Sequence, residues 1–251
     1  MTGAEGPLAR VARADRLLVG CDFDGTLSPI VEVPDEARAD AAAVDALDRL
    51  AHLPATHAAI VSGRARATLA RLTDLAASPI HLVGSHGAEF DGEPALTDER
   101  RRRRDRIREE LSRIAPDFAG SIVEPKPTGA AFHYRRVPER LRAAAAHAAR
   151  QGPGRRPGVT VREGHMVVEL LVCRADKGAA LDRLRRQFGA SSTLFVGDDR
   201  TDEDAFRVLG PADLGVKVGP GETAATLRIG GQDGVAPLLA RLYELRRAAS
   251  D

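Results

Sequence analysis

The sequence predicts an α/β protein, with a parallel-sheet core that carries helices on both faces and is interrupted by an inserted α+β module. Three observations support this. Short apolar runs at Leu17–Cys21, Ala58–Val61, Ile80–Val83, Thr193–Val196 and Leu214–Val218 lack polar alternation, as strands buried on both faces do. Helix-period segments lie between these runs and supply the crossovers that parallel strands need. Between about residues 93 and 174 the grammar changes, because extended segments follow one another without crossover helices. The core is therefore expected in residues 1–92 and 175–251, and the insert in 93–174.

In chain order, Leu8 and Val11 form a short amphipathic lead into the first strand, Leu17–Cys21. A helix is expected over Ala37–Leu53, where Val44, Leu47 and Leu50 recur at helical spacing. The strand Ala58–Val61 leads into a helix through Leu69 and Leu72, and Ile80–Val83 completes the first half of the core. In the insert, Thr97–Ile114 reads as a charged helix and Ser121–Arg135 as extended segments broken by Pro125, Pro127 and Gly129. An Ala-rich helix over Pro138–Arg150 and strands at Val159–Arg162 and Met166–Val172 follow. The core resumes with a helix through Leu181, Leu184 and Phe188, the strand Thr193–Val196 and a helix over Asp202–Leu209. The strand Leu214–Val218 and a terminal helix over Val235–Arg247 close the chain.

Composition narrows the function. The 251 residues are 43% hydrophobic and 29% charged, enough to build a sizeable core. A net charge of +1, no Trp and 4% aromatics argue against nucleic acid as a partner. The arginine-rich tract Glu99–Glu110 interleaves acids and carries Ile107 on an apolar stripe, so it reads as a solvated helix face. Cys21 and Cys173 sit in apolar runs and read as buried small hydrophobes. The N-terminus lacks a signal-peptide core, and nowhere do about 18 apolar residues run together. A cytoplasmic monomer without membrane or nucleic-acid partners is expected.

The chemistry gathers at strand ends. Asp22-Phe23-Asp24-Gly25-Thr26 directly follows the first strand, where open parallel sheets bind ligands. Two carboxylates one residue apart can divide the work of attacking phosphorus and handling the leaving group's proton. Such a pair also suits a helix cap or a calcium loop, but the further alternating acids of a calcium loop are missing. Ser62-Gly63-Arg64 follows the second strand, where a hydroxyl and helix-start amides can hold phosphate oxygens. Lys177 opens a helix against the macrodipole, a placement that an anionic neighbour would explain. Asp198, Asp199, Asp202, Glu203 and Asp204 put five acids in seven positions after another strand. Their repulsion calls for a cation, and carboxylate oxygens suit Mg²⁺. Nucleophile, acid/base, metal and phosphate clamps together describe phosphoryl transfer.

With these motifs in order, the chain resembles the haloacid dehalogenase superfamily, and within it the trehalose-6-phosphate phosphatases. The matching strings are CDFDGTLSPIVEVPDEA, IVSGR, GSHGAEF, AFHYR, ADKGAAL, FVGDDRTDEDAF and VKVGPGETAATLRI, spread over about residues 17–230. The resemblance implies a Rossmann-like core and a cap that closes over it and reads the sugar. It implies an Mg²⁺-dependent phosphoric monoester hydrolase of trehalose biosynthesis, which releases trehalose and phosphate through an aspartyl-phosphate intermediate. Asp22 then matches the nucleophile and Asp24 the acid/base, with Asp22, Asp24 and Asp198 at the metal and Asp199 and Asp202 in support. Thr26, Ser62, Arg64 and Lys177 match phosphate-binding positions. Glu124, Lys126, Arg135, His165 and Glu169 match the sugar-reading positions of the cap. At one of these the family typically carries a lysine, where this chain has His165. Another phosphorylated disaccharide or pseudo-disaccharide is the competing substrate, and a phosphomutase or an inactive regulatory domain the competing function.

Overall fold

The computed structural model describes residues 5–75, 78–90, 96–173 and 176–250. Two compact units are present, Met1–Asp91 with Ala175–Asp251 and Gly92–Arg174. The joints expected near residues 92 and 175 lie outside the described residues.

The first unit begins with α1 (Glu5–Ala12), β1 (Leu17–Cys21), α2 (Ala41–Ala51), β2 (Thr56–Val61), α3 (Arg66–Thr73) and β3 (His81–Val83). The second unit holds α4 (Asp98–Ile114), β4 (Ile122–Lys126), β5 (Gly129–His133), α5 (Glu139–Gln151), β6 (Thr160–Gly164) and β7 (Val167–Leu171). The chain then completes the first unit with α6 (Lys177–Phe188), β8 (Ser192–Gly197), α7 (Asp202–Arg207), β9 (Leu214–Val218), β10 (Leu227–Ile229) and α8 (Val235–Ser250).

In the first unit six strands form one sheet in the order β10-β9-β8-β1-β2-β3, and every neighbouring pair is parallel. Alternation along β1 sends Leu17, Val19 and Cys21 into a core shared with α1, α2, α3 and α8. Leu18, Ala59 and Phe195 face the other way, against α6 and α7. Both faces are covered, which is why β1 reads as an unbroken apolar run. Strand order reverses beside β1, with β2 on one side and β8 on the other. That switch point opens a crevice at the carboxyl ends of β1 and β8.

The second unit is a four-stranded antiparallel sheet, β4-β5-β7-β6. Its core joins Ile107 and Leu111 of α4, Ala145 and Ala149 of α5, Phe132 of β5, and Val168 and Leu170 of β7. Alternation along the strands sends Glu124, Ala131 and Glu169 to the opposite face, where the register lines them up across β4, β5 and β7.

Some boundaries differ from expectation. The helix expected from Ala37 starts at Ala41, because the Asp40 carboxylate caps it and accepts the Ala42 N–H at 2.8 Å. A short 3-10 turn at Pro34–Glu36 precedes it. Thr97 is likewise a cap rather than a helical residue, accepting from the Arg100 N–H. Among the described residues no helix is long and apolar enough to cross a membrane.

Candidate active site

The Asp22 carboxylate sits just past β1, only 4% exposed. The Asp22 N–H donates to the Val196 carbonyl at 2.9 Å, which extends the parallel ladder and ties the loop to β8. The turn is closed by Gly25 N–H to Ser28 O at 2.7 Å and Ser28 N–H to Phe23 O at 2.8 Å. Gly25 has φ +79°, a left-handed conformation that glycine adopts without steric cost.

Lys177, at the start of α6, is 2% exposed and lies between two acids. Its Nζ is 2.9 Å from Asp22 Oδ1 and 2.8 Å from Asp202 Oδ1. Burial opposes the charge on Lys177, but Asp202 and Asp22 outweigh it and hold its pKa above the ordinary lysine value. Asp202 spends its other oxygen on the loop after β8, accepting from Asp198 N–H at 2.9 Å and Asp199 N–H at 3.0 Å. Gly197 permits this approach, since a Cβ there would collide with the Asp202 carboxylate.

The acids outnumber the cation. Burial pushes the Asp22 carboxyl well above the usual range, Lys177 pulls it back, and Asp202, Asp199 and Asp198 push it up again. Asp198 is raised to about 7, first by burial and then by Asp202 and Asp199. Asp199 goes the other way, because Lys177 and hydrogen bonds from Thr201 and Asp202 overcome its burial.

This arrangement fits a hard divalent cation. Asp22, Asp198 and Asp202 each bring a carboxylate oxygen within 4.8 Å of the others. Asp202 is already committed to Lys177 and the loop amides, whereas buried Asp198 Oδ1 has no hydrogen-bond partner. Asp22 and Asp198 are therefore the side chains with capacity for a metal. The buried Thr26 hydroxyl also lacks a partner, as expected of a group reserved for a ligand.

The remaining core positions fall nearby in distinct roles. Asp24 is gripped by Arg64, with Nε to Oδ2 at 2.7 Å and Nη2 to Oδ1 at 2.6 Å. Arg64 also donates to the Pro34 carbonyl at 2.7 Å, so its guanidinium is engaged by protein groups. Ser62 is buried after β2, and its Oγ accepts the Arg64 N–H at 3.2 Å.

Sequence reasoning missed Lys217. It lies on β9, is 4% exposed, and its Nζ donates to the main-chain carbonyls of Asp198 and Val218. The available signal was a lysine inside the apolar run Leu214–Val218, since lysines are almost never fully buried unless paired.

In the second unit, Lys126 Nζ is 3.1 Å from Glu124 Oε1 and 3.9 Å from Glu169 Oε1. His133 Nε2 lies 2.8 Å from Glu124 Oε2. Burial would raise the Glu124 carboxyl, but His133 and Lys126 outweigh it and bring it down to about 2. His133 was not among the expected residues, although it pairs across the same two strands. Arg135 and His165 form an exposed pair of their own, Nη2 to Nδ1 at 3.3 Å.

Among known proteins, the family model for trehalose-phosphatase matches residues 21–228. The bifunctional trehalose-6-phosphate synthase/phosphatase of Thermoproteus tenax is 34% identical over 241 residues, covering 92% of this chain and 32% of that one. Probable trehalose-phosphate phosphatase D of Arabidopsis thaliana is 29% identical over 264 residues, covering 96% of this chain and 70% of its own. The chain thus spans about a third of the first relative's length. The C-terminal domain of C. albicans trehalose-6-phosphate phosphatase superposes with a TM-score of 0.80, covering 96% of both chains at 23% identity. That likeness concerns the fold.

Proposed function

The chain belongs to the trehalose-phosphatase family, and on that premise we propose that it hydrolyses trehalose 6-phosphate to trehalose and phosphate through an aspartyl-phosphate on Asp22. The observation that carries this reading is the buried Asp22–Lys177–Asp202 constellation, at 2.9 and 2.8 Å, with an unpartnered Asp198 oxygen beside it.

An oxygen of the Asp22 carboxylate attacks phosphorus, and the bond from phosphorus to the sugar oxygen breaks. Asp24, protonated and released from Arg64 in the substrate complex, gives its proton to that leaving oxygen. It then takes a proton from water, which attacks the aspartyl-phosphate and frees inorganic phosphate and Asp22. Lys177 holds Asp22 in place and faces the phosphoryl oxygens with positive charge, while Ser62 and Thr26 supply hydroxyl donors. Asp22, Asp198 and the Asp24 carbonyl would hold Mg²⁺, which would supply charge neutralisation at the phosphoryl group. Asp199 and Asp202 shape the loop that carries Asp198. Arg64 belongs to this site through Asp24, whose carboxylate it orients.

In the second unit, Glu124, Lys126 and Glu169 recognise hydroxyls of the distal sugar, with Arg135 and His165 contributing from their own pair. The free thiols of Cys21 and Cys173 support a reducing, cytoplasmic setting.

Trapping tests the chemistry. With a phosphoryl analogue and Mg²⁺, mass spectrometry is expected to find the adduct on Asp22, and Asp22→Asn is expected to be folded and inactive. Turnover close to wild type in a verified Asp22→Asn protein would remove the assignment.

A further inference from the structure

The GSHGAEF segment contains three successive residues of left-handed backbone, Ser85 at φ +49°, His86 at +55° and Gly87 at +105°. Two of them carry side chains, for which this region is unfavourable, and His86 is only 8% exposed. Strain of this kind persists only where the surroundings fix it, and it concentrates at functional sites.

The turn is fixed against the loop that follows β2. The His86 N–H donates to the Ser62 carbonyl at 2.8 Å, and the Ser85 N–H donates to the Arg64 carbonyl at 2.8 Å. In a trans peptide the carbonyl and the next N–H point in opposite directions. Drawing the Ser62 carbonyl towards His86 therefore turns the Gly63 N–H away from the turn, and no acceptor among the described residues takes it. The imidazole walls the same peptide, since a Cβ on Gly63 would lie 2.6 Å from His86 Cε1. Glu89 braces the assembly, with its carboxylate accepting from Ser85 Oγ and, at 3.4 Å, from the Arg66 N–H.

We propose that the Ser85–Gly87 turn aims the Gly63 amide at the substrate's phosphate, with His86 as its positioning residue. This rests on the phosphatase reading and on Ser62 as a phosphate contact. The left-handed backbone at Ser85 sets the angle between the two amides that meet the two carbonyls of the neighbouring loop, and the same conformation at His86 continues the turn.

Inorganic phosphate, competing against hydrolysis of an aryl phosphate, reads the anion site independently of which sugar the enzyme prefers. His86→Val disfavours the left-handed backbone, whereas His86→Asn tolerates it. Loss of one hydrogen bond to a charged group predicts that the inhibition constant for phosphate rises by about tenfold or more in His86→Val. His86→Asn is expected to stay near wild type. Equal weakening in both, or a folded His86→Val that binds phosphate normally, would overturn the proposal. If His86→Val does not fold, Gly63→Ala drives a methyl group into the imidazole and is expected to weaken phosphate likewise. Unchanged phosphate inhibition in Gly63→Ala would equally overturn it. A wild-type enzyme that neither cleaves aryl phosphate nor binds phosphate would instead defeat the phosphatase reading beneath it.

Discussion

At Gly25 a methyl group would collide with the Asp198 carboxylate, on a backbone already at φ +79°. Gly25→Ala should therefore force the first loop and the Asp198 loop apart. Loss of phosphatase turnover with a retained far-ultraviolet circular dichroism spectrum is the expected result. Lys217 offers a second test, because it holds the Asp198 main chain without facing the crevice as a ligand. Lys217→Met should weaken Mg²⁺ binding measured by calorimetry on the purified protein, and unchanged affinity would contradict its supporting role. The acids at 22, 24 and 198 were legible because charge at the end of an apolar strand has few structural explanations. Lys217 showed only as a lysine inside an apolar run; what it holds was not legible, because its partners are main-chain carbonyls, which leave no signature in sequence. The engagement of Arg64 with Asp24 was hidden for a related reason, since spacing cannot say which of several anions an arginine meets.

The strands of the first unit were readable as elements, since burial on both faces removes polar residues from them almost entirely. Helix starts were less so, because a capping side chain rather than the apolar stripe decides where a helix begins. Asp40 accepts from two amides of α2, so Asp40→Ala should cost about 1 kcal/mol of stability, read from denaturant unfolding. Three-residue β10 escaped notice, having Arg228 at its centre and pairing only at the sheet edge. In the second unit, Glu124 links β4 to His133 on β5. Its carboxyl is depressed from 4.5 to about 2, so its stabilising effect is complete above the ordinary value and is lost as pH falls towards 2. Glu124→Gln should accordingly flatten the acid side of the melting-temperature profile between those two values. A profile with the wild-type slope would show that Glu124 carries no such linkage.

Across the whole chain, the switch from parallel to antiparallel grammar is mirrored in two units with separate cores. The distribution of chemistry follows the same division. The first unit gathers Asp22, Asp198 and Asp202 close together, with Lys177 between Asp22 and Asp202, and such groups cannot tell one phosphate ester from another. Discrimination needs polar groups that match sugar hydroxyls, and a site built on them can reject an analogue that leaves them unpaired by about 10⁴-fold. The Glu124–Lys126–Glu169 cluster has that character. Hydrolysis of trehalose 6-phosphate is tested most directly by inorganic phosphate release from that ester and from glucose 6-phosphate, at equal concentration with Mg²⁺. The expected kcat/KM is far higher for the disaccharide, falling to the monosaccharide level in Glu124→Ala and Glu169→Ala. Equal or greater efficiency with glucose 6-phosphate in the wild-type enzyme would contradict the assignment.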